Sequence, residues 1–424
     1  MRKIRFFYRI KILGLLILLW MLLLNESYVQ NRYYQKQWKE TEKVKKETIE
    51  KETIEKDKPQ ELSEKSVEEK KIRVLLMDSG YETYFHPEVI LECAGKQYVF
   101  QMDDEFFGQS ATEFFSEDGV LISSIQRQCG NPVYQGTIYV RKEKEGFLII
   151  NELNLEDYLK AVVPSEMPAS YEMQALMAQA VCARTYAYKQ MENQSLKAFG
   201  ADVDDSVNFQ VYQNLSSQEQ TTQAVEATKG QVLTYNGELI EAFYFSTSSG
   251  KTSTDEVWGN ETVLPYLKSV ACTFDSEEVW SEWEVCLPWE TIQQRTREYF
   301  EVEAEFLSME IVRKAQNGAA TELRVITEEG AYSVQQEYEI RKFLSPKGCV
   351  INGKDGSQNT GGALLPSSCF VFEIVEGEEI LLTGKGYGHG VGMSQNGANE
   401  MARRGYLYQE ILHYFFNDVT IENR

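Results

Sequence analysis

The sequence predicts an α+β fold with a β-rich core, a helical segment that carries Glu166, an inserted or appended α/β lobe, and an N-terminal membrane anchor. Three observations lead to this prediction. Strand-like runs separated by turn signals fill residues 72–150, and helical periodicity follows over residues 155–191. A second mixture of helical and strand patterns occupies residues 280–351 and predicts the additional lobe.

The N-terminus has the pattern of an export signal. Arg and Lys residues within positions 2–11 precede an apolar run at residues 12–24, which is short beside the roughly 17 residues that a membrane span requires. Because Asn25 and Glu26 follow instead of a small-residue cleavage site, the pattern favours an uncleaved signal anchor over a cleaved peptide. We therefore expect residues 1–34 to anchor a single-pass protein in the cell membrane, with the remainder on the extracytoplasmic side.

Residues 35–71 are dominated by Lys, Glu and Gln and include the tandem repeat ETIEK-ETIEK. This composition cannot bury a core, so we expect a charged tether, either helical or extended, ahead of a folded domain at residues 72–424. The formal charge of −22 argues against nucleic-acid binding, which needs a surface rich in Lys and Arg. The seven cysteines include no CxxC pair and do not indicate a disulfide framework, although one or two bridges stay open.

Within the folded domain, branched and aromatic runs predict early strands at residues 72–77, 89–93, 97–102, 120–125, 136–141 and 147–150. Apolar residues at i, i+3, i+4 and i+7 from Leu155 predict a first helix, which Pro164 is expected to end. An alanine-rich second helix reaches Asn193, and strands resume at residues 230–235 and 241–245. The chain closes with a strand at residues 370–375, a glycine-dense loop and a helical tail.

The first segment with chemical potential is residues 163–168, with the sequence VPSEMP. Glu166 lies there between Pro164 and Pro168, in an expected rigid turn with apolar neighbours. A catalytic acid must keep its proton near neutral pH, and apolar surroundings favour this by penalising the ionised form. Taken alone, a proline-flanked glutamate is more often an ordinary loop residue, so this segment by itself does not predict a catalytic site.

Two further segments are polar or rich in glycine. Residues 244–252 read YFSTSSGKT, in which hydroxyl groups and Lys251 suit a sugar or peptide ligand, although a polar turn is the simpler interpretation. A phosphate loop is excluded, because Phe245 stands where such a loop needs glycine. Residues 384–392 have glycine at every second position, which lets the backbone approach a ligand or lets a strand pack tightly. His389 in this loop is either functional or a hydrogen-bonded loop residue.

Metal binding has little support in the sequence. Asp202, Asp204 and Asp205 form a cluster, but they lack EF-hand spacing, and no Cys/His quartet is present. A solvated acidic loop is the favoured interpretation. The sequence therefore predicts neither a metal site nor a cofactor.

Taken together, these segments resemble the stage II sporulation protein D family, which includes the amidase-enhancer proteins. The matching segments occur in the family's order and span about residues 72–416. They are LEDYL at 155–159, VPSEMP at 163–168, QAVCARTYA at 179–187, FSTSSGKT at 245–252, VWG at 257–259, YLKSV at 266–270 and GYGHGVGMSQNGA at 386–398.

The resemblance implies a lytic transglycosylase that cleaves the MurNAc-GlcNAc bond of peptide-stripped peptidoglycan strands, leaving 1,6-anhydro-muramyl ends, in engulfment during endospore formation. The family's catalytic residue falls on Glu166, which acts as a single acid and base because the substrate supplies its own 6-hydroxyl nucleophile. The implied partner is the sporulation amidase/endopeptidase of the engulfment machinery. Two alternatives stay open: a non-catalytic peptidoglycan-binding enhancer of a cell-wall amidase, and a purely structural wall-binding module.

The resemblance also implies a set of residues that line the glycan groove or support Glu166: Arg184, Tyr244, Ser246, Ser249, Lys251, His389 and Gln395. Arg184 and Lys251 are expected to meet the lactyl carboxylate of muramic acid, with a structural ion pair as the alternative for Arg184. Some family members bind zinc through Cys and His in the loop before Gln210, and this chain has neither there, so no zinc is predicted. If the three segments form one groove, Glu166 lies near Lys251 and His389.

Overall fold

The computed structural model describes residues 70–103, 111–128, 130–213, 218–260, 263–375 and 379–424. The predicted anchor at residues 1–34 and nearly all of the predicted tether at residues 35–71 lie outside these ranges. Within them, no helix combines the length and apolarity needed to cross a membrane.

The helices, in chain order, are α1 (Leu155–Glu166), α2 (Met173–Asn193), α3 (Glu219–Ala227), α4 (Trp289–Phe300), α5 (Glu337–Phe343), α6 (Gln395–Arg403) and α7 (Tyr408–Phe415). The strands are β1 (Lys71–Leu76), β2 (Glu88–Cys93), β3 (Lys96–Gln101), β4 (Thr112–Phe115), β5 (Val120–Ile122), β6 (Val133–Tyr134), β7 (Thr137–Lys142), β8 (Phe147–Asn154), β9 (Val203–Asp204), β10 (Gln231–Tyr235), β11 (Glu238–Leu239), β12 (Tyr244–Phe245), β13 (Trp283–Pro288), β14 (Phe306–Lys314), β15 (Ala320–Thr327), β16 (Gly330–Gln335), β17 (Val350–Gly353), β18 (Gln358–Thr360), β19 (Phe370–Val375), β20 (Glu379–Gly384), β21 (Met393–Ser394) and β22 (Thr420–Asn423). This mixture confirms the predicted α+β, β-rich class.

A first hydrophobic core joins the early sheets to the helices around Glu166. One sheet has the order β4-β7-β8-β1-β9 and another the order β3-β2-β5-β6, with β1 and β8 paired antiparallel so that Ile72 lies opposite Leu153. Both sheets bury branched and aromatic residues in the same core as α1 and α2. Strands β1 and β8 also bury Leu75, Leu148 and Ile150 in a separate, smaller cluster with Leu196 and Ala201.

Helix α2 is the central element of this core. Its buried face consists largely of alanines, including Ala175, Ala180 and Ala187, which have no exposed surface. Small side chains let neighbouring elements approach closely, so α3, α6, α7 and β10 all contact α2. The alanine-rich sequence thus brings C-terminal segments next to the end of α1.

Pro164 does not end the first helix, which corrects the sequence-based expectation. Helix α1 continues through Pro164 to Glu166, and the main-chain N–H of Met167 still donates to the carbonyl of Val163 at 2.9 Å. A proline lacks one backbone donor, and in the last turn of a helix this removes a single hydrogen bond. Val163 and Pro164 are buried, so their packing offsets that loss. Glu166 is consequently the last residue of a helix rather than part of a loop.

A second hydrophobic core lies between Trp283 and Leu382. It is built from the sheet β18-β17-β13-β20-β19, the sheet β14-β15-β16, and the helices α4 and α5. The sequence placed a lobe at residues 280–351, and the core observed here also takes Phe370 and Ile380 from β19 and β20.

The alternating glycines pack one chain segment against another. Strand β12 pairs in parallel with β21, and backbone bridges join Thr247 to Tyr387 and Ser253 to Val391. Gly392 has a φ of +82°, and a Cβ there would clash with the carbonyl oxygen of Phe243. Of the two roles that the sequence left open for these glycines, the structure shows tight packing between chain segments.

Candidate active site

One cleft of about 1210 Å³ contains Glu166 and is lined by elements of both cores. The wall formed by the first core includes Tyr171, Tyr186, Tyr244, Ser246 and Gln395. The wall formed by the second includes Glu337, Tyr338, Arg341, Asn359 and Thr360. Trp258, Trp280 and Tyr387 add aromatic surface, a lining that suits stacking against sugar rings.

Glu166 is held in this cleft by two donors to its carboxyl group. The main-chain N–H of Val211 donates to Oε1 at 2.7 Å, and the hydroxyl of Tyr244 makes a second hydrogen bond. The residue is only partly accessible, and it lies at the C-terminus of α1, where the helix dipole disfavours negative charge. The carboxyl is therefore oriented by the protein while one side faces the cleft.

Burial raises the pKa of the Glu166 carboxyl to about 7. The hydrogen bonds from Val211 and Tyr244 favour the charged form and limit this rise. Neither Glu278 nor Glu337, the other two carboxylates among the described lining residues, contributes to the shift. At neutral pH both the protonated and the ionised form of Glu166 are therefore accessible.

We expect the Glu166 carboxyl to titrate with a midpoint near pH 7, and Tyr244→Phe to move that midpoint upward. The variant removes a hydrogen bond to the ionised form, so the protonated form persists to higher pH. Carbon-13 NMR of glutamate-labelled protein measures the midpoint, with the resonance assigned by its absence in Glu166→Gln.

Tyr186→Phe is the matched control, because Tyr186 also lines the cleft but makes no hydrogen bond to Glu166. Its midpoint is expected to equal that of the parent protein. A midpoint near 4.5 in the parent, the ordinary value for this carboxyl, would contradict the description of Glu166 as a buried acid.

Gln210 supports Tyr244 and was not singled out in the sequence. It is fully buried, and its Nε2 donates to the Tyr244 hydroxyl at 3.1 Å and to the carbonyl of Ala183 at 3.2 Å. The Tyr158 hydroxyl donates to Gln210 Oε1 at 3.3 Å. With Gln210 donating to the Tyr244 oxygen, the Tyr244 hydroxyl is left to donate toward Glu166. The motif Gln210-Val-Tyr212 is visible in the sequence, but it does not indicate that the side chain of Gln210 is buried or which way that side chain points.

The glycine-rich segment contacts both the end of α1 and the hydroxyl-rich segment. Gln395 Nε2 donates to the main-chain carbonyl of Glu166 at 3.1 Å. Asn396 Nδ2 donates to Thr247 Oγ1 at 2.9 Å, and the main-chain N–H of Asn396 donates to the carbonyl of Ser246 at 3.0 Å. These contacts bring two of the three predicted segments to the end of α1.

Asp275 also fixes this junction, and no pattern in the sequence pointed to it. It is 1% exposed and accepts hydrogen bonds from the Ser248 main-chain N–H at 2.7 Å and from the Ser394 hydroxyl at 2.6 Å. One buried carboxylate thus ties the hydroxyl-rich segment to the start of α6.

His389 lines the cleft as a neutral ring. Its Nδ1 accepts the Val391 N–H at 3.1 Å, and its other ring nitrogen donates to the main-chain carbonyl of Tyr244. The rings of Phe243, Phe245 and Trp258 surround it, and burial lowers its pKa to about 3. His389 therefore orients the backbone of Tyr244 and does not serve as a proton donor near neutral pH.

Three of the predicted residues do not line this cleft. Arg184 is fully buried, and its Nε and Nη2 bind Glu156 at 2.8 and 2.7 Å, the geometry of a structural ion pair. Lys251 is exposed, and Ser249 donates to the carbonyl of Asn317 at 3.3 Å beside a small separate pocket. Glu166, Tyr244, Ser246, His389 and Gln395 share the cleft. Binding of substrate by any of them stays a prediction.

The acidic loop before Gln210 is buried, so the expectation of a solvated loop was wrong. Asp204 and Asp205 have no exposed surface, and Arg127 Nη2 contacts Asp205 Oδ2 at 2.5 Å. The Tyr84 hydroxyl donates to Asp204 at 2.8 Å. Burial raises the pKa of Asp205 to about 6, and Arg127 limits that rise. Residues distant in the sequence donate hydrogen bonds to these carboxylates. Local composition alone therefore does not predict that the loop is buried.

No group of three or more His, Cys, Asp or Glu side chains in the described ranges is arranged to hold a metal ion. The sequence-based prediction of no metal site and no cofactor concerns the whole chain and stays a prediction.

The sequence of this chain is similar to a known protein family and to several known proteins. Residues 143–235 match a family described as Stage II sporulation protein. An uncharacterized protein of Brachyspira hyodysenteriae is 32% identical over 311 residues, which cover 73% of this chain and 75% of the relative. Stage II sporulation protein D of Bacillus subtilis is 32% identical over 289 residues, 64% of this chain and 75% of that protein. The amidase enhancer of Bacillus subtilis is 31% identical over 62% of this chain and 40% of that protein.

Proposed function

This chain belongs to the stage II sporulation protein D family, and from that membership and the geometry of its cleft we propose that it is a peptidoglycan lytic transglycosylase. The family is involved in sporulation and linked to remodelling of the cell wall. The proposed reaction cleaves the MurNAc-GlcNAc bond of peptide-stripped glycan strands during engulfment and leaves 1,6-anhydro-muramyl ends.

The observation that carries this proposal is a single carboxyl, Glu166, with a pKa near 7 in an aromatic-lined cleft. Most glycosidases use two carboxylates, of which one activates water or attacks the sugar. Glu278 and Glu337 also line the cleft, but neither is among the groups that shift the pKa of Glu166. A reaction in which the substrate provides the nucleophile suits this arrangement.

In the proposed mechanism, Glu166 donates its proton to the glycosidic oxygen as the bond between that oxygen and C1 of the muramyl residue breaks. The resulting carboxylate then takes the proton from the 6-hydroxyl as O6 bonds to C1 and closes the anhydro ring. No water is consumed, and Glu166 returns to its protonated form. A pKa near 7 suits both steps because neither protonation state is strongly disfavoured.

Other residues orient this acid. The Val211 N–H and the Tyr244 hydroxyl fix the carboxyl, while Gln395 holds the main-chain carbonyl of Glu166. His389 holds the backbone of Tyr244. The Ser246 hydroxyl and the aromatic rings along the cleft are proposed to bind the sugars.

The N-terminal signal remains part of this proposal. An anchor at residues 1–34 would hold the catalytic domain on the extracytoplasmic side of the cell membrane, where glycan strands lie. A sporulation amidase/endopeptidase that removes stem peptides is the proposed partner, since it would generate the stripped strands.

A second candidate function is non-catalytic stimulation of a cell-wall amidase. The relative named amidase enhancer in Bacillus subtilis favours it. Product analysis on peptide-free strands separates the two functions. Anhydro-muramyl ends that form with the parent protein and vanish with Glu166→Ala support the transglycosylase. Strands that stay intact while an added amidase is activated would overturn it in favour of the enhancer.

A further inference from the structure

Arg341 is the only Lys or Arg among the described residues that line the cleft. It lies on α5, in the wall opposite Glu166, and is 7% exposed. Its Nε donates to the carbonyl of Leu365 at 2.8 Å, and its Nη1 contacts Glu337 Oε2 at 3.3 Å. The guanidinium is thus fixed by the protein rather than free to move on the surface.

The other charged side chains along the cleft are carboxylic acids: Glu166, Glu278 and Glu337. Arg341 lines the same cleft as His389 and Tyr244, and its charge helps to lower the pKa of His389. A buried cation in an otherwise acidic cleft attracts anionic groups of a ligand at one defined position.

We infer that Arg341 forms a carboxylate-binding subsite, which receives the lactyl carboxylate that a muramyl residue bears once its peptide has been removed. This rests on the proposed glycan substrate. The contacts to Leu365 and Glu337 use Nε and Nη1, so within the described part of the chain Nη2 makes no hydrogen bond. In a strand that still bears its peptide, the same carbonyl carbon is part of a neutral amide and gives no ion pair. Arg341 thereby selects stripped strands.

Glu337 has a defined role in this inference. In the unliganded cleft it balances the charge of Arg341, and its Oε1 also accepts the Trp258 indole N–H at 3.4 Å. A carboxylate ligand must share the guanidinium with Glu337. Neutralising Glu337 therefore strengthens binding of the ligand, whereas neutralising Arg341 weakens it, and a purely structural ion pair would not produce these opposite signs.

The test is equilibrium binding to soluble, peptide-free glycan fragments in a Glu166→Gln background, where no cleavage occurs. Each protein is measured against fragments with free carboxylates and against the same fragments converted to neutral amides. The Glu166→Gln protein is expected to bind the carboxylate fragments about tenfold more tightly than the amide fragments, a difference that one charge-assisted hydrogen bond can supply. Arg341→Gln is expected to bind both forms equally, and Glu337→Gln to increase the preference.

Arg295→Gln is the matched control, because Arg295 donates to the carbonyl of Phe343 at 3.0 Å in the same lobe but does not line the cleft. It is expected to keep the full preference. Thermal unfolding of each variant establishes that it is folded, and Glu337→Gln decides the question alone if Arg341→Gln does not fold. A preference that survives Arg341→Gln, or falls in Glu337→Gln, overturns the inference. If the carboxylate fragments bind more tightly but the wild-type protein cleaves no strands, the proposed transglycosylase activity is rejected and the inferred carboxylate subsite is retained.

Discussion

Glu166→Gln is expected to lower the rate of glycan cleavage by about 10²–10⁴-fold, the range that general acid–base catalysis contributes. Glutamine matches the shape of the protonated acid and still accepts a hydrogen bond from the Val211 N–H. It has no proton to give to the leaving oxygen and no carboxylate to receive one. Release of anhydro-muramyl fragments from stripped strands measures the loss.

The same substitution is expected to stabilise the fold at alkaline pH. The pKa of Glu166 is raised from 4.5 to about 7 in the folded state, so ionisation above pH 7 costs the folded protein on the order of 3 kcal/mol. Stability is therefore fully present below the unfolded pKa and is lost as the pH rises from about 4.5 through 7. A neutral glutamine avoids this loss, so the variant should exceed the parent at pH 8 and match it at pH 4.

Glu241→Gln is the control for the loss of cleavage. Burial also raises the pKa of Glu241, but this residue does not line the cleft and instead accepts from Asn193 Nδ2 at 3.3 Å. Its cleavage rate is expected to stay near that of the parent. Retention of full activity by Glu166→Gln would remove the basis for the proposed mechanism.

Arg184→Ala is expected to lower the free energy of unfolding by about 3–5 kcal/mol, as when one partner of a buried ion pair is removed. Arg184 binds Glu156 through two nitrogens and also donates to the carbonyl of Val225 at 3.1 Å. Its removal leaves buried acceptors without donors and opens a cavity beside α2. Urea denaturation without any ligand measures the change.

Lys251→Ala is the comparison, since Lys251 belongs to the same predicted binding set but is exposed. Its denaturation midpoint is expected to stay unchanged, because exposed side chains away from special features contribute little. If Arg184→Ala kept its stability and lost affinity for glycan, the sequence-based assignment of Arg184 to substrate binding would be right and the structural interpretation would fail.

Local patterns in the sequence were enough to predict most of the fold. Alternation located β2 and β3 within one residue, because each strand has one buried face, and helical spacing located the buried face of α1. The same approach failed at Pro164, where burial in the core outweighed a local helix-breaking signal. It missed β4 and β6, short strands that depend on pairing partners more than on their own composition.

The candidate site was harder to predict, because direction and burial depend on the whole fold. Five predicted residues share the cleft with one another, but Arg184 and Lys251 match family segments and point elsewhere. Motif matching locates a position in the chain and says nothing about which way its side chain faces. Arg341 lies outside every matched segment, in the second core, and only the structure brings it to the cleft.

The hydrogen bond between Gln395 and the carbonyl of Glu166 joins positions 229 residues apart. Contacts of such separation form late, because the entropy of closing a long loop is lost before the contact stabilises the chain. Glu166 therefore gains its final orientation only when C-terminal helix α6 has docked on α2. A chain in which α1 has formed but α6 has not docked therefore lacks the hydrogen bond that holds the main chain of Glu166.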